Sequence, residues 1–147
     1  MIKVLFVCLG NICRSPMAQF VFKQIVEERG LSDQFEIDSA ATESYNEMCH
    51  AGIHHGTREM LKSMHVPFEE HYSRRIRPRD YAYYDYILAM DDSNIDDIQS
   101  LVGVRIRKTK SIACLILPII RAIFATLGIP AILTRAIGIF TRAVRHF

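Results

Sequence analysis

The sequence predicts an α/β fold, a doubly wound parallel sheet with a phosphate-binding loop directly after its first strand. Three observations predict it: an unalternated apolar strand at the start, helical periodicities alternating with further short strands, and a cysteine-to-arginine loop between the first strand and the first helix. With 147 residues, 50% hydrophobic and 23% charged, the chain fits one domain with a moderate core, and a disordered or two-domain chain is excluded. Formal charge is only +2, which argues against a nucleic-acid binder. The charge is unevenly placed, however: all 16 acidic residues lie at or before Asp97, leaving that stretch at −6 and the remainder at +8.

Val4, Leu5, Phe6 and Val7 form a β-branched and aromatic run without alternation, the pattern of a strand buried on both faces. The apolar stretch from Ile2 to Leu9, broken by Lys3, is too short for a secretory core. Four cysteines (Cys8, Cys13, Cys49, Cys114) without a signal peptide point to a reduced cytoplasm, not to a secreted disulfide framework. A helix then starts with Ser15 as N-cap and Pro16 at its first position, carries apolar residues at Met17, Phe20, Val21, Ile25 and Val26, and stops at Gly30. A strand near Phe35 to Ile37, a helix over Thr57 to Met64, a strand over Tyr86 to Met90 and a helix from Ser93 to about Leu101 complete the alternation.

The chemistry lies in the first loop. Cys8 ends a buried strand, five residues follow (Leu9, Gly10, Asn11, Ile12, Cys13), and Arg14 opens a helix whose next residues are Ser15 and Pro16. Backbone N–H groups of such a loop and of the helix's first turn can converge on one anion, with Gly10 easing the turn. The same field acts on the thiol, because a thiolate at a helix N-terminus beside a guanidinium has its pKa lowered to about 3.5–7.5. Arg14 can hold two phosphoryl oxygens with its planar fork, and Ser15 can donate to the thiolate. Taken alone, a Cys-x5-Arg pattern is weak, and cysteine is often merely buried. The strand before it and the Ser-Pro helix start after it supply the context.

Val7 to Pro16 resembles the signature loop of the low-molecular-weight protein tyrosine phosphatases. Further segments match that family: Asp38-Ser39-Ala40-Ala41-Thr42, His71 with Arg74, Asp85-Tyr86-Ile87, and Met90-Asp91-Asp92-Ser93-Asn94. The resemblance covers residues 1–101 of a single phosphatase-like domain spanning 1–147. It implies a four-stranded parallel sheet with helices on both faces (flavodoxin-like) and a cytoplasmic, metal-free, cofactor-free phosphomonoesterase acting through a phosphocysteine. Cys8 would be the nucleophile, Arg14 the phosphate ligand and Ser15 the thiolate partner. Leu9 to Arg14 would bind phosphate, and Asn11 would shape the loop with support from His71. Tyr45 is either a wall of the cleft or a surface tyrosine. Cys13 is either a packing residue or, by the resemblance, the partner of Cys8 in a reversible disulfide formed under peroxide. A phosphotyrosine protein or a small aryl phosphate would be the substrate.

The family also carries an Asp-Pro-aromatic segment whose carboxyl protonates the leaving group, and here no Asp or Glu follows Asp97. From about Val102 the resemblance ends in a basic, isoleucine-rich tail, 102–147, of the composition expected of codons read out of frame. In the shifted frame, Gly128-Ile129-Pro130-Ala131-Ile132 permits Asp, Pro, a small residue or Arg, and Tyr in succession, and Ala113-Cys114-Leu115-Ile116 permits Leu-Leu-Asp. A frameshift predicts one extra or missing base near codons 98 to 110. Without one, the acid is lost by divergence and the general acid is unknown. The chain is then an impaired phosphatase or a phosphate-binding pseudophosphatase.

Other readings rank lower. Ser111 to Thr134 is interrupted by Pro118, Arg121 and Pro130, against a membrane span, while Ala131 to Phe147 has the pattern of a basic amphipathic helix suited to a membrane surface or to core packing. Cys49, His50, His54 and His55 match no common zinc spacing, and the Arg74, Arg75, Arg77, Arg79 run reads as a solvated face. Arsenate reduction would need a further pair of placed redox cysteines, with only Cys49 and Cys114 left to supply them.

Overall fold

Strand β1 (Ile2–Cys8) is the middle of a parallel three-stranded sheet, flanked by β2 (Phe35–Ala41) and β3 (Tyr86–Ala89). The structure is a computed structural model and describes residues 1–103. Its helices are α1 (Arg14–Glu27), α2 (Tyr45–Met48), α3 (His55–Ser63), α4 (Pro78–Tyr83) and α5 (Asp92–Val102). A 3₁₀ turn, Ser32–Gln34, leads into β2.

The unalternated run in β1 has its expected consequence. Successive strand residues point to opposite faces, and Val4, Leu5, Phe6 and Val7 are all buried, so both faces of β1 are covered. Phe6 meets Phe22 of α1 edge-on at 5.8 Å, and Phe22 meets Phe35 of β2 in the same way at 5.7 Å, so three aromatic rings tie helix to sheet. Register carries the strand ends to one level: Cys8 lies opposite Ala41, and Val7 opposite Ala89. The loops after β1, β2 and β3 therefore open on the same edge. Because β2 and β3 flank β1 on opposite sides, a crevice forms at the carboxyl end of β1, where such sheets bind ligands.

Several expectations are corrected. The described residues hold three strands where four were expected, and the segment Ala113 to Ile116, the amphipathic helix, the interrupted apolar stretch and Cys114 lie outside them. Among the described residues no helix is long and apolar enough to cross a membrane. Helix α1 begins one residue before Ser15, with Cys13 at the N-cap and Met17 N–H donating to Cys13 O at 3.1 Å. Ser15 is thus not the cap, and Pro16 sits third in the helix, where its missing N–H would have had no helical partner. Gly30 follows the helix at φ 64°, as its stop position requires. β2 runs on to Ala41 because Ser39 and Thr42 find buried hydrogen-bond partners, so polar residues do not end it. Helix α4 was not expected. Pro78 at its start and the Asp80 carboxylate accepting from Arg77 N–H at 2.7 Å form it out of the arginine run.

Truncating Phe6 to alanine removes a ring only 2% exposed at the centre of these contacts. The expected loss is about 3–5 kcal/mol of unfolding free energy, read from urea denaturation followed by circular dichroism.

Candidate active site

The loop from Cys8 to Arg14 is held from outside by its carbonyls. Cys8 O accepts from Thr42 N–H (2.9 Å), and Leu9 O from Thr42 and Glu43 N–H (both 3.1 Å). Gly10 O accepts from Asn46 Nδ2 and Ser73 Oγ (both 3.0 Å). Asn11 O faces His71 Nε2 at 3.0 Å, and Ile12 O accepts from His54 N–H at 2.9 Å. In a trans peptide the N–H points opposite to the C=O, so carbonyls pinned outward turn the amides inward. Asn11 N–H accordingly donates to Cys8 Sγ at 3.2 Å. Gly10 has a different use from the expected one. The positive φ of the loop belongs to Asn11, at 51°, whereas a Cβ on Gly10 would lie 2.6 Å from Asn46 Nδ2, so a larger residue there displaces the Asn46 side chain that donates to Gly10 O.

Asn11 is fully buried and uses its whole amide. Nδ2 donates to Ser15 Oγ (2.9 Å) and Ser39 Oγ (2.8 Å), while Oδ1 accepts from Arg74 N–H (3.1 Å). These bonds set proton directions. Ser15 Oγ already accepts from Asn11, so its single proton chooses between Cys8 Sγ at 3.1 Å and the Ala40 carbonyl at 3.5 Å, and a thiolate is the nearer and stronger acceptor. Ser39 in turn gives its proton to Gln19 Oε1 at 2.6 Å. Cys8 itself is 3% exposed at the end of β1, with the N-terminus of α1 beyond it.

Arg14 stands at the start of α1 with its guanidinium 2.5 Å from Asp91 Oδ2, the carboxylate that caps α5 by accepting from Asn94 N–H at 2.9 Å. Burial pushes the Asp91 carboxyl up, but hydrogen bonds from Arg14, Ser93 and Asn94 outweigh it and hold the group below its ordinary value. Burial also pushes the Cys13 thiol up, against the pull of the Thr57 hydroxyl; charge at Cys8 adds to the rise and Arg14 opposes it. His71 is lowered mainly by burial, with the Asn11 carbonyl opposing, so near neutrality it is uncharged with Nε2 carrying the proton toward that carbonyl.

Arg74 is not on a solvated face. Its Nε and Nη2 both donate to Asp38 Oδ2 (3.0 and 2.9 Å) and its Nη1 to Asp80 Oδ2 (3.1 Å), and although burial pulls its pKa down, the two carboxylates raise it further. Tyr84, buried beside Asp38, is pushed up to about 12. Arg77 pairs with Glu47 at 2.9 Å. His54 is engaged as the cap of α3, its Nδ1 accepting from Gly56 N–H at 3.2 Å, and among the described residues no group of three His, Cys, Asp or Glu side chains is placed to hold a metal ion.

The structure thus gathers Cys8, Leu9, Gly10, Asn11, Ile12, Cys13, Arg14, Ser15 and His71 at one strand end. Tyr45, 66% exposed on α2, lines a groove beginning at Leu9. Sequence reasoning assigned no site role to Gln19, Asn46 or Ser73, and named Ser39 and Asp91 only within family-like segments. A signal existed for two of them: Ser39 and Gln19 are polar residues inside otherwise buried apolar runs.

A strand-ending thiol, a loop of inward amides and an arginine at a helix start define an α/β domain with a cysteine-to-arginine loop at the carboxyl end of its central strand. The family model of low molecular weight phosphotyrosine protein phosphatases matches residues 3–116, and the chain belongs to that family. The low molecular weight protein-tyrosine-phosphatase YfkJ of Bacillus subtilis is 40% identical over 71% of this chain and 66% of its own length. The rat low molecular weight phosphotyrosine protein phosphatase is 47% identical over 65% of this chain and 59% of its own. The chain therefore spans less than two thirds of the length of these relatives. The YfkJ crystal structure superposes with TM-score 0.65, at 41% identity, over 70% of this chain and 64% of that one. A protein tyrosine phosphatase from Entamoeba histolytica gives 0.67 at 26% identity, over 95% and 90%.

The depressed His71 pKa fixes the sign of a pH effect. As pH falls below about 6.5 the unfolded chain takes up a proton on this ring before the folded one does, so stability is complete above that pH and drains below it. The melting temperature of the wild type is expected to fall more between pH 7.5 and 5.5 than that of His71→Gln, whose amide keeps the bond to the Asn11 carbonyl.

Proposed function

We propose that this chain is a phosphomonoester hydrolase of the protein tyrosine phosphatase type, acting through a phosphocysteine. The observation that carries the reading is the pair of donors on one sulfur: Asn11 N–H in the loop at 3.2 Å and Ser15 Oγ in the first turn of α1 at 3.1 Å. Two donors on one sulfur fix its position at the mouth of the loop and offer it charge-assisted hydrogen bonds when it leaves phosphorus.

The Cys8 thiolate attacks phosphorus, the sulfur–phosphorus bond forms, and the bond to the aryl oxygen breaks with its electron pair leaving on oxygen. Inward amides of Leu9 to Arg14 and the Arg14 fork take up the charge spread over the equatorial oxygens. Water then attacks the phosphocysteine: the new oxygen–phosphorus bond forms, the sulfur–phosphorus bond breaks with its pair returning to sulfur, water's proton passes to solvent, inorganic phosphate leaves, and the Ser15 hydroxyl hydrogen-bonds to the thiolate. His71 acts through the loop: its bond to the Asn11 carbonyl keeps that peptide turned so that its neighbours face the anion. The substrate is a phosphotyrosine protein or a small aryl phosphate, and the thiolate requires a reducing compartment.

Protonation of the leaving oxygen is the weak step. No carboxyl follows Asp97 in the sequence, and the carboxyl paired with Arg14, Asp91, is held below its ordinary value and so is a poor proton donor near neutrality. The same absence favours a second reading, a phosphate-binding protein without turnover.

General acid catalysis contributes about 10²–10⁴-fold and least for good leaving groups. The full chain is expected to hydrolyse p-nitrophenyl phosphate and to turn over phosphotyrosine at least about 10²-fold less efficiently, with Cys8→Ser inactive on both. Folded protein inert toward both substrates but binding inorganic phosphate establishes the second reading. Ser15→Ala is expected to lower kcat for p-nitrophenyl phosphate by about tenfold or more, since one charge-assisted hydrogen bond to the nucleophile is lost, and single-turnover kinetics place the loss in the chemical step.

A further inference from the structure

An open groove of about 480 Å³ begins at Leu9, the residue after the nucleophile, and runs between α2 and the last turn of α5. Its apolar side is made by Leu9, Tyr45, Met48 and Leu101, of which Leu9, Tyr45 and Met48 are 52%, 66% and 71% exposed. Three large apolar side chains left to water around one concavity mark a surface for a partner. The polar side carries two carboxylates, Glu43 and Asp97, against one guanidinium, Arg75. Arg75 donates from Nε to Thr42 O at 3.1 Å, and Asp97 accepts from Thr42 Oγ1 at 3.0 Å.

We propose that this groove binds the polypeptide flanking the phosphorylated residue of a protein substrate, and that it prefers a segment carrying a bulky apolar and a basic side chain. This rests on the phosphatase reading and narrows it: the substrate is a protein, not a small aryl phosphate. Continuity with the loop supplies the first reason. The groove is lined at one end by Leu9, next to Cys8, and by Thr42, whose N–H holds the Cys8 and Leu9 carbonyls, so an occupant of the groove lies beside the loop. Charge supplies the second. The groove carries one net negative charge on a stretch to Asp97 whose formal charge is −6, which favours a cationic neighbour and repels an acidic one. Met48 can repack around side chains of different shape, which suits binding of several sequences. None of Met48, Asp97 or Leu101 contributes a hydrogen bond to the loop, so they set preference without entering the chemistry.

The test uses two phosphotyrosine peptides, one with leucine and lysine on both sides of the phosphorylated residue and one with glutamate and glycine there. Binding is read by fluorescence anisotropy on the full chain carrying Cys8→Ser, so that it does not depend on turnover. The leucine–lysine peptide is expected to bind about tenfold tighter, with the ratio shrinking at high salt as an exposed charge preference must. Adding Met48→Ala and Asp97→Asn, both at the surface, is expected to bring the ratio within about threefold while inorganic phosphate binds as before. In the Cys8-containing protein the same pair leaves p-nitrophenyl phosphate turnover unchanged. Equal affinity for the two peptides, no affinity for either, or a preference that survives both substitutions overturns the groove assignment. Loss of all turnover with the peptide preference intact overturns the phosphatase reading instead, and leaves the groove.

Discussion

Asn11 sits in left-handed backbone at φ 51°, fully buried, and almost every feature of the loop passes through it. A non-glycine residue in that region is strained, and asparagine tolerates it best because its short amide can bond locally. The strain is offset by three side-chain hydrogen bonds and one to its carbonyl, which reach α1, β2 and the segment from His71 to Arg74. One side chain thus connects the nucleophile's partner, the neighbouring strand and the arginine cluster behind it. In an enclosed site such a network is worth having only when complete, since a single missing partner leaves a buried donor or acceptor unpaired.

The cluster behind the loop is built on the same principle with full charges. Arg74 is half-buried between Asp38 and Asp80, while its backbone N–H serves Asn11 and its carbonyl accepts from Ala41 at 2.7 Å. Desolvating a guanidinium is unfavourable, and two carboxylates with several hydrogen bonds offset it. The result fastens the 71–77 segment along the end of β2, which places His71 and Ser73 on the loop's carbonyls. Arg14 is half-buried to a similar degree, and its charge is met by Asp91, which follows β3 and caps α5. A cation so paired is oriented before any anion arrives, which lowers the entropy lost on binding.

Much of this was legible in the residues. An unalternated run such as Val4 to Val7 has few homes other than a strand covered on both faces, and Cys-x5-Arg between that strand and a helix start has few uses other than an anion cradle. The helix's starting residue was misplaced because Ser15 has the chemistry of a cap, yet its hydroxyl is drawn off by a sulfur seven residues back, a contact no local rule contains. The arginine run was misread for a similar reason. Its sequence neighbours are charged and polar, and only the fold brings Asp38 from β2 to Arg74.

By itself, then, the amino-acid order determined the parallel α/β layout, the loop and its nucleophile, and the lack of any acidic residue beyond Asp97, because these depend on side-chain type and on spacings of a few residues. Tertiary structure decided which way each proton points, which side chain stands against Gly10, which carboxylate meets Arg14, and where apolar side chains are left to water. Those outcomes depend on atoms 28 to 77 residues apart meeting within 3.1 Å, as Asn11 and Ser39 or Arg14 and Asp91 do, and such meetings are set by packing of the whole sheet and its helices.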